Sequence, residues 1–152
     1  MTSRREILKH SAVVAALLGT TGLFPQYANA AFNKVAFDAK NLADVYKGLG
    51  IGLPVLSSGV VLQAPDIAEN GAVVPVGATS SLPGVKQILF LVEKNPLPLI
   101  AVFNLSDRVD AAILTRTKMA QSSDIYAVAV MNDGKVLYAK KEVKVTLGGC
   151  GG

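Results

Sequence analysis

The stretch Asp124-Ile125-Tyr126-Ala127-Val128-Ala129-Val130-Met131-Asn132-Asp133-Gly134-Lys135-Val136-Leu137-Tyr138-Ala139-Lys140-Lys141-Glu142-Val143-Lys144-Val145-Thr146-Leu147 decides the fold. Its runs 124–131 and 135–146 are rich in strand-forming residues and meet at Asn132-Asp133-Gly134. Such a turn between two β-rich runs is a strong hairpin signal, because glycine takes positive φ without a Cβ penalty. In the second run Val136, Tyr138, Val143, Val145 and Leu147 are interleaved with lysines, the period of a half-buried strand.

Working upstream, Val60-Val61-Leu62 and the runs 73–80, 86–93, 99–105 and 112–119 have the same character, each bounded by turn residues. Regularly spaced short runs of this kind predict about seven strands in an all-β sandwich or barrel. Before them, residues 38–49 read as a helix with Asp38 as N-cap and Gly48 and Gly50 at its end. Phe37, Leu42, Val45, Tyr46 and Leu49 recur near helical spacing. Met119 and Met131 sit in apolar runs and read as core filler rather than soft-metal ligands.

Downstream, the last strand leads into Gly148-Gly149-Cys150-Gly151-Gly152. Paired glycines on both sides of the one cysteine predict a thiol on a mobile arm. A fully extended arm carries the sulfur roughly 10 Å beyond Leu147, enough to enter another protein's cleft. A thiol built for catalysis in its own pocket is instead held beside a base.

The first thirty residues read as an export signal. Ser3-Arg4-Arg5-Glu6-Ile7-Leu8-Lys9 is charged, residues 12–18 are apolar but too few to span a bilayer, and Ala28-Asn29-Ala30 is a cleavage site. The Arg-Arg pair favours the twin-arginine route, which exports folded proteins, and hence the periplasm. The expected organisation is a signal over 1–30, a carrier domain over 31–147 and an arm over 148–152. Cleavage removes three of the 15 basic and one of the 11 acidic residues, leaving 12 against 10, a net charge of +2. That is too weak for a nucleic-acid surface. Cleavage also removes His10, the only histidine, which excludes Ser-His-Asp and Cys-His catalysis and a zinc site of the usual kind. One cysteine cannot form an internal disulfide, so the fold rests on its apolar core.

Asp66 and Glu69 are the one pair of acids that invites an acid/base role. With no second catalytic element in sight they read as loop chemistry. Glu93-Lys94-Asn95-Pro96-Leu97-Pro98 reads as an extended connection. Lys135, Lys140, Lys141 and Lys144 read as a solvated face, the alternative being a cluster that draws anionic substrates or acidic partner surfaces toward the arm. A disulfide-exchange protein wants a resolving cysteine that this chain lacks. A metal carrier wants more ligands. The remaining alternative is an adaptor module of a periplasmic complex with an incidental thiol tail.

Gly148-Gly149-Cys150-Gly151-Gly152, preceded by Val143-Lys144-Val145-Thr146, resembles the end of the SoxY family of sulfur-oxidation carriers. The resemblance extends to Pro65–Val76, to Glu93–Pro98 and to Thr115-Arg116-Thr117-Lys118-Met119-Ala120. It implies an immunoglobulin-like β-sandwich in a heterodimer with a related SoxZ subunit. It implies that Cys150 holds sulfur intermediates as covalent cargo, with no cofactor and no catalysis by the chain itself. The implied partner enzymes are a c-type cytochrome pair (SoxXA), a hydrolase (SoxB) and, where present, a sulfane dehydrogenase (SoxCD).

Overall fold

The computed structural model describes residues 33–147. The segments expected to be a signal (1–30) and an arm carrying Cys150 (148–152) therefore lie outside the described residues. Helices α1 (Lys34–Phe37) and α2 (Leu42–Leu49) come first. Strands β1 (Val55–Leu56), β2 (Val60–Gln63), β3 (Ile67–Asn70), β4 (Val74–Ser80) and β5 (Val85–Val92) follow. The chain continues through β6 (Leu99–Asn104), β7 (Ala112–Thr117), β8 (Ser123–Met131) and β9 (Val136–Leu147).

The hairpin predicted at Asn132-Asp133-Gly134 joins β8 to β9. Its three-residue loop is closed by Met131 N–H on Lys135 O (2.8 Å), and Gly134 takes φ +87°. One sheet runs β1-β9-β8-β5-β6, with β3 also on β9; the other runs β2-β4-β7. Together they make the immunoglobulin-like sandwich.

The larger sheet is covered on both faces, which explains why its central strands read as unbroken apolar runs. Ile88, Phe90 and Val92 of β5 and Ile125, Ala127 and Ala129 of β8 face the smaller sheet, meeting Val74, Val76 and Ala78 of β4. The alternate residues Leu89, Leu91, Val128 and Val130 pack under Val45 and Tyr46 of α2 and Ala36 of α1. The smaller sheet's outer face is bare among the described residues, with Val61 and Leu114 exposed.

Of the helix predicted over 38–49 the structure keeps Leu42–Leu49 as α2, and a separate short helix, α1, precedes the predicted start. Asp38 is the C-cap of α1, its backbone N–H bonding to Lys34 O, and Asn41 caps α2 by accepting Asp44 N–H at 2.9 Å. Gly50 ends α2 in the left-handed region (φ +68°), as the terminal glycines predicted. The two helices touch at Gly48, where an added Cβ would stand 2.9 Å from the Ala36 backbone. Gly48→Ala should therefore lower stability by about 1–3 kcal/mol, despite the helix preference for alanine. An unchanged urea midpoint would show that the helices do not meet there.

Seven strands were expected and nine are found among the described residues; the extra ones are β1 and β3. Both run parallel to β9, β1 beside Leu137–Tyr138 and β3 beside Lys144–Leu147. Segment 65–71 is thus part strand rather than pure loop. Met119 is fully buried and Met131 8% exposed, both in the core as filler. No described helix is long and apolar enough to cross a membrane.

Candidate functional site: the pole around Leu147

The ends of β3, β5 and β9 and the starts of β4, β6 and β8 lie at one pole of the sandwich, with the end of β7. Hydrogen bonds stitch its loops to the last residue of β9. Gly71 N–H donates to Leu147 O at 2.7 Å, and Met119 N–H donates to Gly71 O at 2.7 Å. Asn95 fastens the next loop, donating from Nδ2 to Lys118 O (2.8 Å) and accepting Ala120 N–H on Oδ1 (3.0 Å). Lys94 N–H donates to Ser123 Oγ at 3.0 Å. The three internal segments singled out in the sequence, 65–76, 93–98 and 115–120, thus converge where the chain runs on to Cys150.

The root of that segment is held from both edges. Adjacent residues of a strand aim their backbone groups at opposite edges, and pairing of β8 with β9 ends at Ser123–Val143. Beyond it Ser122 takes over, its Oγ accepting Val145 N–H at 2.9 Å. On the other edge Lys144 N–H donates to Asp66 O (3.0 Å) and Thr146 Oγ1 donates to Glu69 O (2.9 Å). Lys141 Nζ clamps the β2–β3 connection through Ala64 O (2.6 Å) and Asp66 Oδ1 (2.9 Å). The bonds made by Ser122, Thr146 and Asn95 were not legible in the sequence because nothing in their spacing announces a long-range partner.

Asp66 and Glu69 are exposed and do not form an acid/base pair: Asp66 serves Lys141, and Glu69 lends its carbonyl to Thr146. Three of the four lysines read as a solvated face carry surface ion pairs, Lys135 with Asp133, Lys140 with Asp124 and Lys141 with Asp66. The hydrogen bond from Lys135 holds the Asp133 carboxyl below its usual range, and that to Asp124 raises the Lys140 ammonium. Burial pushes the Tyr46 phenol up to about 12 and, with the charge of Glu93, raises Tyr126. Tyr46 and Tyr126 lie on the helix-covered face, and Asp133 and Lys135 in the β8–β9 hairpin. No group of three His, Cys, Asp or Glu side chains gathers to hold a metal among the described residues.

The sequence matches the family described as "Sulfur oxidation protein SoxY" over residues 50–150, a span whose last residue is Cys150. Among solved structures it is similar to the sulfur carrier protein SoxY from Chlorobium limicola f thiosulfatophilum. That likeness has 34% identity and a TM-score of 0.61, over 69% of this chain and 94% of that one. Two superoxide reductases share the fold alone. A variant of the Ignicoccus hospitalis enzyme (neelaredoxin) has 16% identity and a TM-score of 0.51 over 57% of this chain and 78% of that one. A putative one from Thermotoga maritima has 13% and 0.52 over 60% and 93%. No curated protein sequence matches.

The fold and the family match define a carrier rather than an enzyme, in the service of sulfur oxidation. The chain belongs to the SoxY family. Its partners are accordingly components of the sulfur-oxidation system.

Proposed function

We propose that Cys150 is the covalent attachment point for sulfur intermediates of thiosulfate oxidation, presented in turn to separate periplasmic enzymes. The observation that carries this reading is the placement of the chain's one cysteine at the end of the family match, three residues beyond a strand anchored up to Leu147.

Loading joins thiosulfate to the thiol: Cys150–SH and S2O3²⁻ give Cys150–S–S–SO3⁻, one proton and two electrons. A c-type cytochrome (SoxXA) accepts the electrons. Hydrolysis by SoxB then adds water across the terminal S–S bond, releasing hydrogen sulfate and leaving Cys150–S–SH. A sulfane dehydrogenase (SoxCD), where present, oxidises the remaining sulfur. A SoxZ subunit completes the carrier as a heterodimer, and the twin-arginine signal takes it to the periplasm.

The reactive species is the thiolate, a few per cent of an unperturbed cysteine at neutral pH. Lys144 is the nearest basic residue in sequence, six positions away. The thiol is therefore inert between visits, and each enzyme supplies the activation. The glycines on either side of Cys150 leave no side chain to obstruct a narrow cleft.

Intact-protein mass spectrometry tests the reading. Chain purified from cells growing on thiosulfate should carry sulfur or thiosulfate additions on the C-terminal peptide, removable by reductant. A thiol bare under those conditions would overturn it.

A further inference from the structure

We infer that the pole around Leu147 is itself a docking collar for the enzymes that act on Cys150, fitting a cleft mouth of apolar and carboxylate side chains. The inference rests on the carrier reading above and goes beyond it by assigning the surface that recognises the enzymes. Its first support is covalent length. Three residues of backbone reach at most roughly 10 Å, so whatever their conformation Cys150 stays that close to Leu147. Leu147 is fastened to the domain by Gly71, and its neighbours by Ser122 and Asp66, so the root does not slide outward to lengthen the reach. A reacting group recessed in a folded enzyme meets Cys150 only when the enzyme's rim lies against this pole.

The second support is what the pole exposes. Val73 is 56%, Leu97 41% and Leu147 66% exposed, each on one of the segments that converge there. Lys94 and Lys118 are exposed beside them and form no ion pair among the described residues, in contrast to Lys135 in the hairpin and Lys140 and Lys141 on β9. Of the nearby acids, Glu93 accepts the Tyr126 hydroxyl (3.4 Å) toward the helix-covered face, and Glu69 lies on the β3 flank. Apolar groups with unpaired cations at their rim form a patch that apolar contact holds and carboxylates orient.

The test compares three substrates for thiosulfate loading by the periplasmic fraction of thiosulfate-grown cells, followed by mass spectrometry. They are the full chain, the same chain carrying Lys94→Glu and Lys118→Glu, and a synthetic peptide of residues 147–152. The charge reversals should raise KM about tenfold with little change in kcat, and the peptide should lose about a hundredfold or more in kcat/KM. Alkylation of Cys150 by iodoacetamide, which needs no docking, should differ little between the two full-length chains. A peptide loaded as well as the full chain, or a KM indifferent to the reversals, overturns the collar and leaves the carrier standing. A full chain that acquires no adduct overturns the carrier, and the collar with it.

Discussion

Cys150→Ser should abolish every sulfur adduct while leaving the domain as stable as before. A serine hydroxyl forms no disulfide or persulfide link, and an alcohol is scarcely ionised at neutral pH, so neither loading nor transfer has a foothold. Both core clusters are built from buried residues between Ala36 and Val143, short of position 150. The unfolding free energy should accordingly shift by no more than about 0.5 kcal/mol. Mass spectrometry and urea unfolding of the same sample separate the outcomes. Adducts that persist on the serine variant would place the cargo elsewhere, and a loss of stability above about 2 kcal/mol would mean that the sulfur is part of the packing.

The largest effect on the fold is expected at Phe90. Its ring is 1% exposed on central strand β5 and meets Phe103 edge-on, centroids 6.0 Å apart and planes at 88°. Phe90→Ala removes a ring from between the two sheets and should cost about 3–5 kcal/mol. The loss is a large share of the total, because a domain of this size is stable by only about 5–15 kcal/mol, and the chain has one cysteine and hence no internal disulfide to cushion it. A shift of the urea midpoint worth less than about 1 kcal/mol would show that the sheets close over the gap.

What the sequence disclosed and what it withheld follow from the range of the forces involved. The β8–β9 hairpin was legible because Asn132-Asp133-Gly134 is a local signal read in its own turn. The runs that became β4 to β8 were legible from apolar content, with ends displaced by one or two residues. β1 and β3 were not, because each is short and its partner lies some 75 residues or more downstream in β9, with no local turn to betray the pairing. The true start of α2 was hidden by apolar spacing that begins at Phe37, before the Asn41 cap, and α1 by its length of four residues. The convergence of 65–76, 93–98 and 115–120 at one pole is a property of topology, so composition alone could not place them together. Cys150 itself was conspicuous from composition, being the one thiol among paired glycines.

The interior placement of β9 has a mechanical side. Leu137 and Tyr138 lie between β1 and β8, and its last residues are gripped by β3 and Ser122, so the strand is held on both flanks near its start and at its end. A pull applied at Cys150 would be transmitted along the strand axis, across backbone bonds oriented at right angles to it. Bonds loaded that way share the force in shear instead of parting one after another like a zip. On the carrier reading proposed above, the strand can thus be drawn on at every handover without unravelling the sheet from which it emerges.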